Sequence, residues 1–197
     1  MQNLTDQELI KRLHQGNLEA LGELYDRYRQ LVFRTALAIT GDPDVASDLL
    51  QDVFLRLFRF AEHVDPARPL SPWLYKMTSN LSYTWVKGDQ RWFRPLENLA
   101  DWLIGAVKTN AQEIVEQLDD WDRLQRAVAA LPISQRVVVV LYYLNDLSLQ
   151  EIAEILEIPV GTVNSRLHYG RLALKKSLGL GALGEKEPLP DFGLKGQ

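Results

Sequence analysis

The stretch from residue 148 to residue 176 constrains the fold most, because it holds the start and stop signals of two short helices. Ser148 and Glu151 match a capping box, in which each side chain bonds the backbone N–H of the other residue at a helix N-terminus. Pro159 ends this first helix, since proline lacks an N–H and restricts the residue before it. A second helix is predicted to begin near Gly161. This spacing is typical of a helix-turn-helix.

The second helix of this stretch is predicted to be apolar on one side and basic on the other. Its buried stripe is predicted to consist of Val163, Leu167, Gly170 and Leu174. Its outer face is predicted to carry Thr162, Ser165, Arg166, His168, Arg171, Lys175 and Lys176. No Asp or Glu occurs between residues 160 and 178, and a polar, basic helix face suits a DNA major groove. An ordinary helical hairpin with a solvated basic face is the alternative that this stretch leaves open.

The net charge of −4 would argue against nucleic-acid binding only if the charges were spread evenly. Residues 66–95 instead hold five basic residues and one acidic residue, and residues 160–178 hold four basic residues and none that is acidic. Phosphate contacts depend on such local clusters rather than on the total charge. Two basic islands that both fall on predicted helices therefore favour DNA binding over scattered surface charge.

The predicted helix from Asp44 to Phe60 has two distinct faces. Its inward face is predicted to contain Leu49, Leu50, Val53, Phe54, Leu57 and Phe58. Its outward stripe, at helical spacing, is predicted to contain Asp48, Gln51, Asp52, Leu55 and Arg59. A single exposed leucine is ordinary. Because Leu55 lies among carboxylates and an amide, the stripe indicates a surface that contacts another protein.

A further helix is predicted from Trp73 to about Phe93. Its core side is predicted to contain Trp73, Leu74, Met77 and Leu81. Another face is predicted to contain Lys76, Asn80, Thr84, Lys87 and Arg91, with aromatic residues interleaved. Aromatic rings among positive charges suit single-stranded DNA, whose bases can stack on them. Core tryptophans beside a solvated face are the alternative.

Several classes of site are disfavoured by what the sequence lacks. There is no cysteine, which excludes disulfides and thiolate zinc sites. The three histidines have no metal-ligand spacing, and no phosphate-binding loop or serine-nucleophile motif occurs. The glycines from Gly179 to Gly184 spell G-x-G-x-x-G, but no strand is predicted before them. The sequence has no membrane-spanning apolar run and no signal peptide, so we expect a cytoplasmic protein. Because it also lacks these catalytic and metal-binding motifs, we expect that the protein is not an enzyme and holds no cofactor or metal.

Three ordered segments together resemble a bacterial extracytoplasmic-function sigma factor of the sigma-70 family, over residues 4–178. ASDLLQDVFLRLF at residues 46–58 is similar to the most recognisable stretch of that family. PWLYK at residues 72–76, with the residues that follow, resembles the start of the helix that reads the minus-ten element. Leu131-Pro132 and residues 147–168 resemble the family's fourth domain.

The resemblance implies an all-α fold of two helical domains joined by a flexible linker. Residues 1–95 would form sigma domain two and residues 96–112 the linker. Residues 113–178 would form sigma domain four with its helix-turn-helix, and residues 179–197 are predicted to be a disordered tail. The implied function is promoter recognition and DNA melting for transcription initiation. The implied partners are core RNA polymerase and promoter DNA, with an anti-sigma factor left open as a third.

The resemblance also implies roles for individual residues, according to their positions in the matching motifs. The resemblance implies binding to core polymerase by Asp48, Gln51, Asp52, Leu55 and Arg56. It implies contact with the melted minus-ten strand by Asn80, Thr84, Lys87 and Arg91, and by the loop from Glu62 to Ser71. It implies contact with minus-thirty-five DNA by Thr162, Ser165, Arg166, His168, Arg171 and Lys175.

Three features depart from the family pattern, and two rival functions remain. The residues after Val86 are less basic than is usual in the family, with Gly88 and Asp89 among them. Thr84 stands where the family often has aspartate, which weakens the expected minus-ten contacts. Glu157 stands in the turn where glycine is typical, so we expect it at a positive φ with some strain. One rival is an enzyme with an unrecognised site, which the absent motifs disfavour. The other is a stand-alone helix-turn-helix regulator with an N-terminal sensing domain. It explains residues 148–176 but neither the stripe at residues 48–55 nor the second basic island.

Overall fold

The computed structural model describes residues 4–88 and 118–179, with side chains from residue 124 onward in the second stretch. Every regular element in these two stretches is helical, which confirms the predicted all-α class. Within them, no helix is long and apolar enough to cross a membrane. No group of three or more His, Asp or Glu side chains in the same stretches could hold a metal ion.

The described residues form two compact units. The first contains residues 4–37 and 42–88, and the second contains residues 38–41 and 118–179. The linker predicted over residues 96–112 and the tail beyond Gly179 lie outside the described residues, so both stay predictions.

Four α-helices and one short 3-10 helix build the first unit. They are α1 (Asp6–His14), α2 (Leu18–Thr40), α3 (Pro43–Arg59), the 3-10 helix Ala61–His63 and α4 (Leu70–Val86). Thr5 and Glu8 form a capping box at the start of α1. Asp42 caps α3 by accepting hydrogen bonds from the N–H groups of Asp44 and Val45. The apolar sides of these helices meet in one core.

The fourth helix begins earlier and ends sooner than its sequence pattern suggested. Helix α4 starts at Leu70, because Pro72 falls in its first turn, where a missing N–H costs nothing. The helix ends at Val86, and Gly88 follows with a φ of 72°. The prediction of a helix that runs on to Phe93 was therefore wrong, and Arg91 lies outside the described residues.

The second unit contains four α-helices. They are α5 (Leu118–Ala129), α6 (Ile133–Tyr143), α7 (Leu149–Leu156) and α8 (Val160–Ser177). The valine run from Val137 to Val140 has the β-branched composition of a strand but forms part of α6. Helices α6 and α7 both pack against α8. Gly170 permits this approach, since a Cβ there would lie 2.7 Å from a methyl carbon of Val139.

Candidate polymerase and nucleic-acid interface

Local hydrogen bonds fix both ends of α7, the first helix of the helix-turn-helix. Ser148 Oγ accepts from the Glu151 N–H at 3.2 Å, and the Glu151 carboxylate accepts from the Ser148 N–H at 2.8 Å, which confirms the capping box. Glu157 adopts the left-handed conformation predicted for it, at φ 54°. The N–H of Ile158 donates to Ala153 O at 3.1 Å, as in a Schellman motif. The bonds at the C-terminal end of α7 set the direction in which the chain enters α8.

The apolar stripe predicted for α8 is confirmed, because Val163, Leu167, Gly170 and Leu174 are all buried. On the rest of the helix, Ser165, His168 and Lys176 are exposed. The flanking side chains are half-buried, and they are Thr162, Arg166, Arg171 and Lys175.

Arg166 and Arg171 lie on opposite flanks of α8 rather than on one shared face. They are five positions apart in the sequence, which turns their side chains about 140° apart around the helix axis. Burial raises the pKa of the Tyr143 phenol on α6, and the positive charge of Arg171 offsets part of this rise. The basic side chains of α8 therefore border its outer face on both sides.

The centre of that face is occupied by residues that the sequence analysis did not select. The Tyr169 side chain is 60% exposed and Leu172 is 48% exposed. The rings of His168 and Tyr169 meet edge to face, with centroids 5.4 Å apart. The signal was present in the sequence, since both residues lie opposite the buried stripe at helical spacing.

Three of the residues predicted to contact the minus-ten strand lie on one side of α4 and its C-terminal end. They are Asn80, Thr84 and Lys87. Asn80 is exposed, and its backbone carbonyl oxygen accepts a hydrogen bond from the Thr84 hydroxyl at 2.8 Å. Lys87 is exposed, with its ammonium 5.7 Å from the centre of the Tyr83 ring. Asn80, Thr84 and Lys87 thus form a polar strip that carries one cation and borders an aromatic ring.

A second aromatic surface lies at the 3-10 helix, where α3 ends. The Phe60 side chain is 41% exposed. The Arg59 guanidinium lies 5.7 Å from the centre of its ring, and the His63 ring lies 6.4 Å away, edge to face. An Arg68–Asp65 ion pair at 3.5 Å follows in the exposed loop. Phe60 was not selected from the sequence, because it was assigned only to the end of a helix.

Four of the five residues predicted to bind polymerase reach the surface of α3. Asp48 is exposed, while Gln51, Asp52 and Arg56 are half-buried. Arg56 Nε donates to Asp52 Oδ2 at 3.0 Å. Desolvation raises the pKa of the Asp52 carboxyl, although Arg56 offsets part of the rise. Desolvation and the nearby carboxylates of Asp44 and Asp42 raise the pKa of Asp48. Both carboxylates are therefore incompletely compensated within the chain.

The placement of Leu55 on the outward stripe was wrong. Its side chain is 7% exposed and belongs to the core of the first unit. Helix α3 packs against both α4 and the 3-10 helix, so it buries a wider arc than a helix with one neighbour would. Asp52 is likewise less exposed than expected, at 19% of its side chain. The surface that remains on α3 is polar.

Two family models match the chain in separate stretches. The model described as "Sigma-70 region 2" matches residues 24–92, which include α3 and α4. The model described as "Sigma-70, region 4" matches residues 121–174, which include the helix-turn-helix. The order of the two matches is that of the two structural units.

Curated relatives match most of the chain. The ECF RNA polymerase sigma factor SigW of Bacillus subtilis is 32% identical over 176 residues, which is 86% of this chain and 94% of that protein. The ECF RNA polymerase sigma-E factor of Escherichia coli is 28% identical over 182 residues, covering 88% of this chain and 94% of that one.

Solved structures show the same fold. CnrH, in complex with the cytosolic domain of CnrY, matches with a TM-score of 0.64 and 22% identity, over 90% of this chain and 99% of that one. RpoE of Bartonella quintana, in complex with the anti-sigma factor NepR, matches with a TM-score of 0.59 and 20% identity, over 78% and 92%.

Proposed function

The chain belongs to the family of extracytoplasmic-function RNA polymerase sigma factors, and from that premise we propose which of its surfaces meet promoter DNA and polymerase. A sigma factor binds core polymerase and directs it to promoters. One observation supports these proposed contacts above all. Each of the two units has a surface suited to DNA, and the two surfaces differ in kind. A cytoplasmic location, where transcription takes place, is part of the proposal.

Helix α8 is the proposed reader of the minus-thirty-five element. It presents no carboxylate between residues 160 and 178, so nothing on it repels phosphate. Arg166 and Arg171 reach base edges from its two flanks, while Lys175 and Lys176 contact phosphates. Tyr169, at the centre of the exposed face, fits against the methyl group of a thymine. Thr162, Ser165 and His168 complete the contact surface.

The strip formed by Asn80, Thr84 and Lys87 is the proposed contact for the melted minus-ten strand. Exposed rings lie beside both this strip and the loop that precedes α4, and bases of a single strand stack on such rings. Lys87 supplies charge for the backbone, and Asn80 can bond a base edge. The Thr84 hydroxyl hydrogen is engaged by Asn80 O, so we propose that Thr84 meets DNA as an acceptor. We propose the same contact for Arg91, which lies outside the described residues.

The polar surface of α3 is the proposed site for core polymerase. Asp48 and Asp52 offer carboxylates that the chain itself compensates only in part, next to the amide of Gln51 and the guanidinium of Arg56. A basic surface on a large partner would complete the compensation of the two carboxylates. Because Leu55 is buried, no apolar anchor is assigned to this contact, and its affinity rests on charge and hydrogen bonds.

A binding experiment tests this assignment. Asp48→Arg should leave thermal melting of the free protein unchanged and weaken binding to core polymerase by about tenfold or more, because it places like charges in contact. Glu23→Arg is the matched control, since Glu23 is an exposed acid on α2. Equal binding by both variants would show that the α3 surface is only solvated. A stand-alone regulator would bind DNA alone and give no promoter-dependent run-off transcript with core polymerase.

A further inference from the structure

A hydrogen bond joins the C-terminal end of α1 to the residue after the 3-10 helix. His14 Nε2 lies 3.1 Å from the carbonyl oxygen of Val64, across 50 residues of sequence. A carbonyl oxygen can only accept, so Nε2 carries the hydrogen and donates it. The ring is partly buried, where a hydrogen bond is worth more than in water.

Helix α1 is itself fixed in place, which makes His14 a firm attachment point. The Asp6 carboxylate accepts from Arg27 and from the Tyr28 hydroxyl, both on α2. Burial and this bond to Asp6 raise the pKa of Tyr28 to about 12, so the phenol keeps its proton. Arg27 also donates to Leu4 O at 2.8 Å. The apolar side of α1 is fully buried in the core of the first unit.

Val64 is the point at which the chain leaves this packed core. Its N–H donates to Ala61 O at 2.8 Å and closes the 3-10 helix, while its side chain is 6% exposed. The next five residues form the exposed loop before α4. A 3-10 helix of three residues has little rigidity of its own, so its direction depends on contacts from outside it. Ala61 and Val64 face the core, whereas Phe60 and His63 face solvent.

We propose that His14 is a positioning residue for the minus-ten surface of the first unit. Its bond to Val64 O sets the direction of the 3-10 helix, and with it the placement of the exposed Phe60 ring and the loop that leads to α4. The inference rests on the proposed function, in which that loop meets the melted strand. His14 acts through Val64 and needs no contact with DNA.

Three substitutions of His14 separate the hydrogen bond from the bulk of the ring. His14→Gln places an amide nitrogen near the position of Nε2 and keeps the donor. His14→Asn places its nitrogen near the position of Nδ1, too short to reach Val64 O. His14→Leu keeps most of the volume and has no donor. The Gln variant should therefore behave like the parent, whereas the Asn and Leu variants lose the tether.

The probe is fork-junction DNA with a randomised single-stranded segment, from which holoenzyme reconstituted with the parent chain selects its preferred minus-ten strand. The Asn and Leu variants should bind the selected strand about three- to tenfold more weakly, the scale of one lost hydrogen bond. Their affinities for core polymerase and for minus-thirty-five duplex should be unchanged. His14→Gln should restore strand binding.

The possible results are distinct. Parent-like strand binding by the Asn and Leu variants would overturn the positioning role. Equal losses in all three variants would also overturn it, because the ring and not the bond would then matter. A loss of core polymerase binding in step with strand binding would show a merely structural role. Failure of the parent holoenzyme to select any strand would overturn the proposed function itself.

Discussion

The two regions that we propose to contact DNA are built in different ways. In the second unit one helix carries the whole surface, and a capped turn of a few residues sets its direction. In the first unit the proposed surface is divided between α4 and the loop before it, and His14 forms a hydrogen bond to Val64, the residue that precedes that loop, across 50 residues of sequence. The direction of α8 is therefore set by bonds between residues close in sequence, whereas the proposed minus-ten surface involves a bond between residues far apart in sequence. Substitutions should affect the two regions differently.

The largest effect is expected where α8 packs most closely. Gly170→Leu would drive a side chain into Val139 and Gln135 of α6, and should destabilise the second unit by about 3 kcal/mol or more. Gly161→Leu is the matched control on the same helix, because nothing lies within 4 Å of the Cβ position there. Chemical unfolding should show the loss in the second unit alone. A uniform loss in both units would contradict their independence.

The next largest effect is expected on α3. Asp52→Arg removes the partner of Arg56 and sets two guanidinium groups together at a half-buried position. It should lower the free energy of unfolding by about 2–3 kcal/mol. Asp48→Arg, at an exposed position, should change it by less than about 0.5 kcal/mol. Thermal melting of the two variants checks this, and equal melts would show that the Asp52–Arg56 pair contributes nothing to stability.

Sequence reasoning succeeded where structure is local. The capping box, the left-handed Glu157 and the buried stripe of α8 all depend on residues within a few turns of each other. It failed where several elements converge, since the burial of Leu55 depends on α4 and the 3-10 helix as well as on α3. The bond from His14 to Val64 has no local signal at all. The exposure of Tyr169 does follow from the pattern, because helical spacing places it opposite the buried stripe of α8.

Within α8 we expect two kinds of DNA contact, one to base edges and one to phosphates. Arg171→Ala should cost about 1–3 kcal/mol of binding to the preferred minus-thirty-five duplex and relax specificity at one position, as expected for a base reader. Lys175→Ala should weaken all sequences alike and reduce the salt dependence of binding by about one unit. Titrations at several salt concentrations separate the two. Identical effects that do not depend on salt would refute the division.

The smallest effect concerns the turn. Glu157→Gly relieves the strain of a left-handed residue but adds freedom to the unfolded chain, so it should stabilise the second unit by about 0.5–1 kcal/mol. Asp146→Gly is the comparison, since Asp146 has a φ of 56° and aspartate tolerates this region better. The gain at residue 146 should be smaller. A net loss at residue 157 would mean that the Glu157 side chain makes a contact worth more than the strain.

The most direct test of the central claim is to sequence the DNA that the reconstituted holoenzyme selects from a random pool. The account predicts two separated motifs, a duplex element read by α8 and a melted element read by the first unit. Arg171→Ala should blur only the duplex element, and His14→Leu should weaken only the melted one. A single motif, or the same selection by the chain without core polymerase, would contradict a sigma factor with two independent DNA surfaces.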